Sequence, residues 1–426
     1  MAPLDPPHIL IFEPDPHGHT SEWVEHLCHF AEDERADWLV TFAVAPDLAH
    51  RLSQVLSMAV RKRIRVLTLR PHEMRLCLHS SLPISGFSRW WVMRRYLKQA
   101  GADHGVFLSI DHLSLPLALG LRMEGKSVSG ILFRPSTHYS ELTPNFSATL
   151  KEHIRDFRKR ILYRLMLRNR SLHKMLSLDP YFSSYASRNY KLGDKVETID
   201  DPAFPFPVVA DAHANIPTGR SVFLLFGALA ARKGILTLLA ALREIDAETA
   251  QRIAVIIAGR VDPSICVTVN GAVSNLRRDR PTLWLELDDR RLPMNELANL
   301  IRSSDVILAP YQRFVGSSGV LLWAASAGKP VITQNYGLLG KLCQRHGLGL
   351  SIDTTDPSRL ARAIESMSKD PAENFNAVEA ESFVESRTPR HFAATLFGAT
   401  PVIAPSNMAE SAPAFRPRTG HAFPFR

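Results

Sequence analysis

"YQRFVGSSGVLLWAASAGKPVI", residues 311–332, decides how this chain is read. Gly316-Ser317-Ser318-Gly319 is a loop of small residues leading into the apolar run Val320–Ser326, which predicts a helix. Gly328-Lys329-Pro330 ends that helix, and Pro330–Thr333 predicts a buried strand. A small-residue loop at a helix start offers unpaired backbone N–H groups to an anion. The competing reading is a plain serine-capped helix. The stretch contains no acidic residue, so it is either a phosphate-gripping catalytic site or the relic of one.

The same alternation extends outward. In the second half Val222–Phe226, Ile253–Ala258, Leu283–Leu285 and Val306–Ala309 read as further strands. Helices are predicted at Gly234–Arg243, Met294–Ser303 and Pro357–Met367. In the first half the strands are His8–Glu13, Trp38–Val44, Ile64–Leu69, Gly105–Ser109, Val128–Phe133, Met175–Leu178 and Lys195–Ile199. Helical patterns lie at Ser21–Glu32, Arg89–Gln99 and Phe146–Arg170. Short, almost wholly apolar strands separated by helices predict parallel sheets covered on both faces. The fold class is therefore α/β, with two doubly wound domains in tandem. A chain of 426 residues is too long for one ordinary core, which agrees. The proline-rich stretch 201–220 separates the halves. We set the domains at 1–206 and 221–398, with a linker at 207–220 and a disordered tail at 399–426.

No run of 18 apolar residues exists, so a membrane-spanning helix is not expected. The N-terminus lacks the pattern of a signal peptide. Cys28, Cys77, Cys266 and Cys343 are scattered without metal-type spacing, which argues against zinc and disulfides and fits a reducing cytoplasm. Net charge is +9, and between Arg155 and Lys174 eight cations face one carboxylate, Asp156. Such concentration predicts an anionic partner on one surface. Ile154, Phe157, Ile161 and Leu165 form a helical stripe there, expected to pack on the sheet. "SRWWVMRRYLKQ", residues 88–99, sets Trp90 and Trp91 among cations, a composition suited to the surface of an anionic membrane. No nucleic-acid-binding module is recognisable, so nucleic acid ranks last as a partner.

Ligands in doubly wound sheets bind beyond the carboxyl ends of the strands. After Val222–Phe226 come Gly227 and then Arg232 and Lys233, two cations suited to a diphosphate. Gly259 and Arg260 follow Ile253–Ala258, and Gly316–Gly319 is the third such loop. In the first half, His19 follows the first strand, Arg134 ends the fifth, and His138 lies just beyond. These three are the candidate catalytic residues, a histidine to orient a hydroxyl and Arg134 to neutralise charge.

"FGALAARKGILTLLAAL", "IAVIIAGRVD", "LANLIRSSDVILAPY" and "AASAGKPVI" together resemble the C-terminal domain of family-4 glycosyltransferases. The resemblance is specific from about Val222 to Met367, and "SRTPRHFAATLF" looks like that family's terminal helix. It implies the GT-B architecture, two Rossmann-like domains facing a cleft. It also implies retaining, hexosyl-type transfer from a nucleotide sugar without a bound metal or separate cofactor. The donor would be UDP- or GDP-linked and the acceptor a glycan or a lipid-linked molecule, as in polysaccharide biosynthesis. Lys233 would hold the donor diphosphate with Arg232 and the Gly316–Gly319 backbone. The family's two loop glutamates fall at Val315 and Trp323, so a second reading is a non-catalytic GT-B protein that binds a nucleotide or glycan. The expected location is the cytoplasm, with peripheral contact at the inner face of a membrane.

Overall fold

The computed structural model describes residues 6–16, 19–33, 38–56, 63–139, 148–205 and 218–401. Two parallel sheets organise it. The first holds β1 (His8–Glu13), β2 (Leu39–Val44), β3 (Ile64–Thr68), β4 (His104–Phe107), β5 (Ser127–Leu132), β6 (Leu172–Ser177) and β7 (Val196–Thr198). Their order is β3-β2-β1-β4-β5-β6-β7. The second sheet holds β8 (Ser221–Phe226), β9 (Ile253–Ala258), β10 (Trp284–Asp288), β11 (Val306–Ala309), β12 (Val331–Gln334) and β13 (Gly349–Ile352). Its order is β10-β9-β8-β11-β12-β13. In both sheets the order reverses beside the first strand, between β1 and β4 and between β8 and β11. That reversal opens a crevice at the carboxyl ends.

The central strands are continuous apolar runs because helices cover both of their faces. Every residue of β1 and of β9 is buried. One face of the first sheet carries Trp90, Met93 and Tyr96 of the Leu82–Ala100 helix, with Tyr163, Met166 and Leu167 of the Leu150–Arg168 helix. The opposite face carries Trp23, Val24 and Leu27 of the His19–Asp33 helix.

The structure departs from four expectations. The unit 221–398 does not pack as one body. Its last helix, Pro389–Gly398, crosses back and inserts Phe392, Leu396 and Phe397 into the core of the first domain. The Phe392 ring lies 4.8 Å from Trp23, and the Phe397 ring 4.6 Å from Trp38. Ala399 and Thr400, assigned to a disordered tail, are buried at the end of that helix. The tail from residue 402, and residues 207–217 of the linker, lie outside the described residues. The third correction concerns the stripe at Ile154, Phe157, Ile161 and Leu165, which is exposed and does not pack on the sheet. The helix begins at Leu150, not Phe146, because Thr149 and Glu152 form a capping box. Tyr163, Met166 and Leu167 face inward instead.

Among the described residues no helix is long and apolar enough to cross a membrane.

Candidate functional site

The site is built on glycines at the ends of β8 and β9. Gly227 turns with φ of 102°, and Gly259 lies against it with φ of 138°. A Cβ on Gly259 would stand 2.0 Å from the Gly227 carbonyl oxygen, so a side chain there would push the two loops apart. Gly234, with φ of 77°, likewise allows the chain to pass the Pro310 carbonyl before the Ile235–Glu244 helix. These turns carry Lys233 inward, where it is only 7% exposed.

The Lys233 ammonium donates to the Tyr311 hydroxyl and sits 4.3 Å from the centre of its ring. Tyr311 Oη is in turn 2.8 Å from Ser318 Oγ. One polar chain therefore joins the loop after β8 to the small-residue loop. Arg232 stacks on Phe314, its guanidinium carbon 4.9 Å from the ring centre. From the other domain, the Arg134 side chain reaches within 3.2 Å of where a Gly316 Cβ would stand. Contacts thus link Gly227, Arg232, Lys233, Arg134 and Gly316–Ser318 into one cluster, with Lys233 buried and Arg232 and Arg134 exposed beside it.

The loop serines do not cap the following helix. Gly319 is the N-cap and makes no side-chain cap bond, which removes the plain helix-start reading. Ser318 bonds Tyr311, and Ser317 lies beside the carboxyl of Asp201. Burial pushes that carboxyl up to about 7, against the opposing effects of the Ser317 hydroxyl and the Arg387 charge. Asp201, Asp200, Ser317, Ser318, Leu338 and Arg387 border a small cavity between the domains. Val315 packs with Tyr139, Tyr336 and Leu338, and Trp323 packs in the apolar layer behind the loop. Apolar contacts thus fill both of these positions.

Other candidates lie elsewhere. Arg260 is mostly exposed, and its guanidinium turns to Asp289, 3.7 Å away. His138 is 1% exposed and faces Asp179 at 3.0 Å, so it orients no hydroxyl of a ligand in this conformation. The Tyr139 hydroxyl donates to the same carboxylate. His19 opens the first helix, but its side chain lies outside the described residues.

Sequence reasoning passed over a second polar cluster at the carboxyl edge of the first sheet. Glu13, the last residue of β1, is 2% exposed, and burial pushes its carboxyl up to about 7 against the nearby Arg89. Asp111, just after β4, accepts from the backbone N–H groups of Phe133 at 2.8 Å and Arg134 at 3.3 Å. His112 is driven down to about 4 by burial and by the charges of Arg89 and Arg134. The signal was position at strand ends, masked by the apolar runs around these residues.

Glu13 yields a pH prediction. Its folded carboxyl binds a proton more tightly than the ordinary value near 4.5, so the folded chain holds the extra proton between about pH 4.5 and 7. Stability from this group therefore falls as pH rises through that window and is level above it. Glu13→Gln should be more stable than wild type at pH 8 by about 1–3 kcal/mol, with the gain shrinking toward pH 5. Urea midpoints at both pH values check this; an equal difference at the two would show that Glu13 does not titrate as described.

Residues 220–370 match the Glycosyl transferases group 1 family. Sucrose-phosphate synthase from Thermosynechococcus elongatus superposes with a TM-score of 0.67 at 17% identity, covering 92% of this chain and 97% of its own. A UDP-forming α,α-trehalose-phosphate synthase from Burkholderia xenovorans gives 0.63 at 14% identity, covering 95% and 100%. The HepE protein of Anabaena, in complex with UDP and glucose, gives 0.56 at 15% identity, covering 91% and 96%. No curated protein gives a significant match. The structural likenesses establish the architecture as GT-B, with two Rossmann-like domains across a cleft.

Proposed function

We propose that this protein is a glycosyltransferase that takes a sugar from a UDP- or GDP-linked donor and passes it to a glycan or lipid-linked acceptor. The observation that carries the reading is the buried Lys233, held at the turn after β8 and joined through Tyr311 to the Gly316–Gly319 loop. A diphosphate at this cluster meets the Lys233 point charge and the loop backbone, with Arg232 and Arg134 beside them. The Val320–Ser326 helix behind the loop has only seven residues, so Lys233 rather than a long helix dipole supplies most of the attraction. As the bond from the sugar to the diphosphate breaks, negative charge grows on the departing phosphate oxygen. Fixed cations stabilise that charge more than the ground state, which is what accelerates transfer.

Asp201 and Ser317, beside the same loop, are the polar groups we assign to the sugar hydroxyls, in place of the carboxylates that Val315 and Trp323 do not supply. Retention of configuration rests on the family resemblance alone. The apolar packing of Val315 and Trp323 favours the second reading, a GT-B protein that binds a nucleotide or glycan without turnover.

Calorimetric titration with UDP, GDP and their common sugar conjugates, followed by assay for free sugar, separates the two. Saturable binding of one nucleotide with slow release of its sugar supports transfer. Binding with no turnover of any conjugate selects the second reading.

A further inference from the structure

The face of the Leu150–Arg168 helix turned away from the domain is apolar along its whole length. Leu150, Ile154, Phe157, Ile161 and Leu165 are 77%, 53%, 63%, 44% and 37% exposed. Their spacing places them on one side of the helix. Packing does not require them there, because the sheet side is filled by Tyr163, Met166 and Leu167.

The charges are sorted in the same way. Both carboxylates of the helix are engaged away from the stripe: Asp156 with Ser136 at 2.6 Å and Arg155 at 2.9 Å, and Glu152 with Arg313 and Thr149. Lys151, Arg158, Arg164 and Arg168 are exposed and border the stripe. The outward face therefore carries cations and no carboxylate. The same helical layer exposes Trp91, with the Arg94 guanidinium carbon 5.0 Å from its ring, and Leu119.

We propose that this helix lies in the plane of an anionic bilayer, its stripe among the acyl chains and its cations among the headgroups. An in-plane amphipathic helix has this composition: large apolar residues on one face, with arginine and lysine along the border. Charge complementarity selects the anionic surface, since each cation near it adds attraction that a zwitterionic surface does not provide.

The placement also bears on the acceptor. Glu152, in the first turn, is bonded to Arg313 of the loop region in the second domain, so the helix starts at the cleft and runs outward along the membrane. A lipid-linked acceptor would meet the cleft from that end. This last step rests on the transfer reading; the membrane contact does not.

The test is sedimentation of the full chain with phosphatidylcholine vesicles, with and without phosphatidylglycerol. Wild type should sediment with the anionic vesicles and be released by high salt. Ile154→Ser/Phe157→Ser should bind them about tenfold more weakly, and Arg158→Glu/Arg164→Glu should lose the preference for anionic lipid. Both variants should keep the wild-type melting temperature and nucleotide titration, because the altered side chains are exposed. Indifference of wild type to lipid charge would overturn the proposal, as would wild-type binding by the serine variant. So would a lipid-free dimer that the serine variant dissolves. Vesicle binding by a protein that ignores every nucleotide would leave the membrane face standing and remove the transfer reading.

Discussion

Lys233→Ala is expected to weaken binding of a nucleoside diphosphate by about a hundredfold while leaving the fold intact. A hydrogen bond to a charged group contributes about 1.5–3 kcal/mol, roughly ten- to hundredfold in affinity. The upper part of that range applies because Lys233 is only 7% exposed and water screens it little. Tyr311 keeps Ser318 as a partner, so the variant leaves no orphaned hydroxyl. Lys233→Arg should recover only part of the loss, since a planar fork must fit between the Gly227 turn and the Tyr311 ring. Calorimetry with the best-binding nucleotide measures both. Wild-type affinity in the alanine variant would place the diphosphate elsewhere and remove the main support for transfer.

Phe392→Ala should destabilise the first domain by about 3–5 kcal/mol, the usual cost of emptying a buried aromatic site. Its ring is 2% exposed and meets Trp23 from the terminal helix. The damage should appear far away in sequence. Hydrogen exchange should quicken in residues 19–33 while residues 221–258 keep their protection. If protection were lost mainly in the second sheet, the terminal helix would belong to that domain after all.

The fold was legible because its strands are short apolar runs fenced by breakers. β1, β9 and β11 begin and end where the pattern placed them. Edges were less clear: β10 runs on to Asp288 because parallel pairing with β9 extends to Ala258, past Glu286 and Asp288, which break the apolar run. The two failures in packing share one cause. Periodicity shows that a helix has an apolar face but not what that face meets. The Ile154–Leu165 stripe was turned to the sheet by assumption, and the Phe392–Phe397 face was given to the nearer domain for the same reason. In the candidate site the glycines were legible because the backbone turns after β8 and β9 demand them, and the cations because charge placed just after a strand stands out in the sequence. Tyr311 opens the quoted stretch but carries no spacing signal of its own. Its role in joining Lys233 to Ser318 depends on loops that approach only in three dimensions.

The returning helix sets an order of events as the chain is made. Seven strands of the first sheet are complete once Thr198 has been synthesised, yet the side chains that close one of its faces arrive with Phe392 and Phe397. About 200 residues separate these points, or roughly 10–40 s of synthesis at ordinary ribosomal speed. The core of the second domain is itself closed only by Phe383 and Val384, shortly before Phe392 is made. Until then Trp23, Phe30 and Trp38 lack their last partners, so a nascent chain should offer a chaperone its first half.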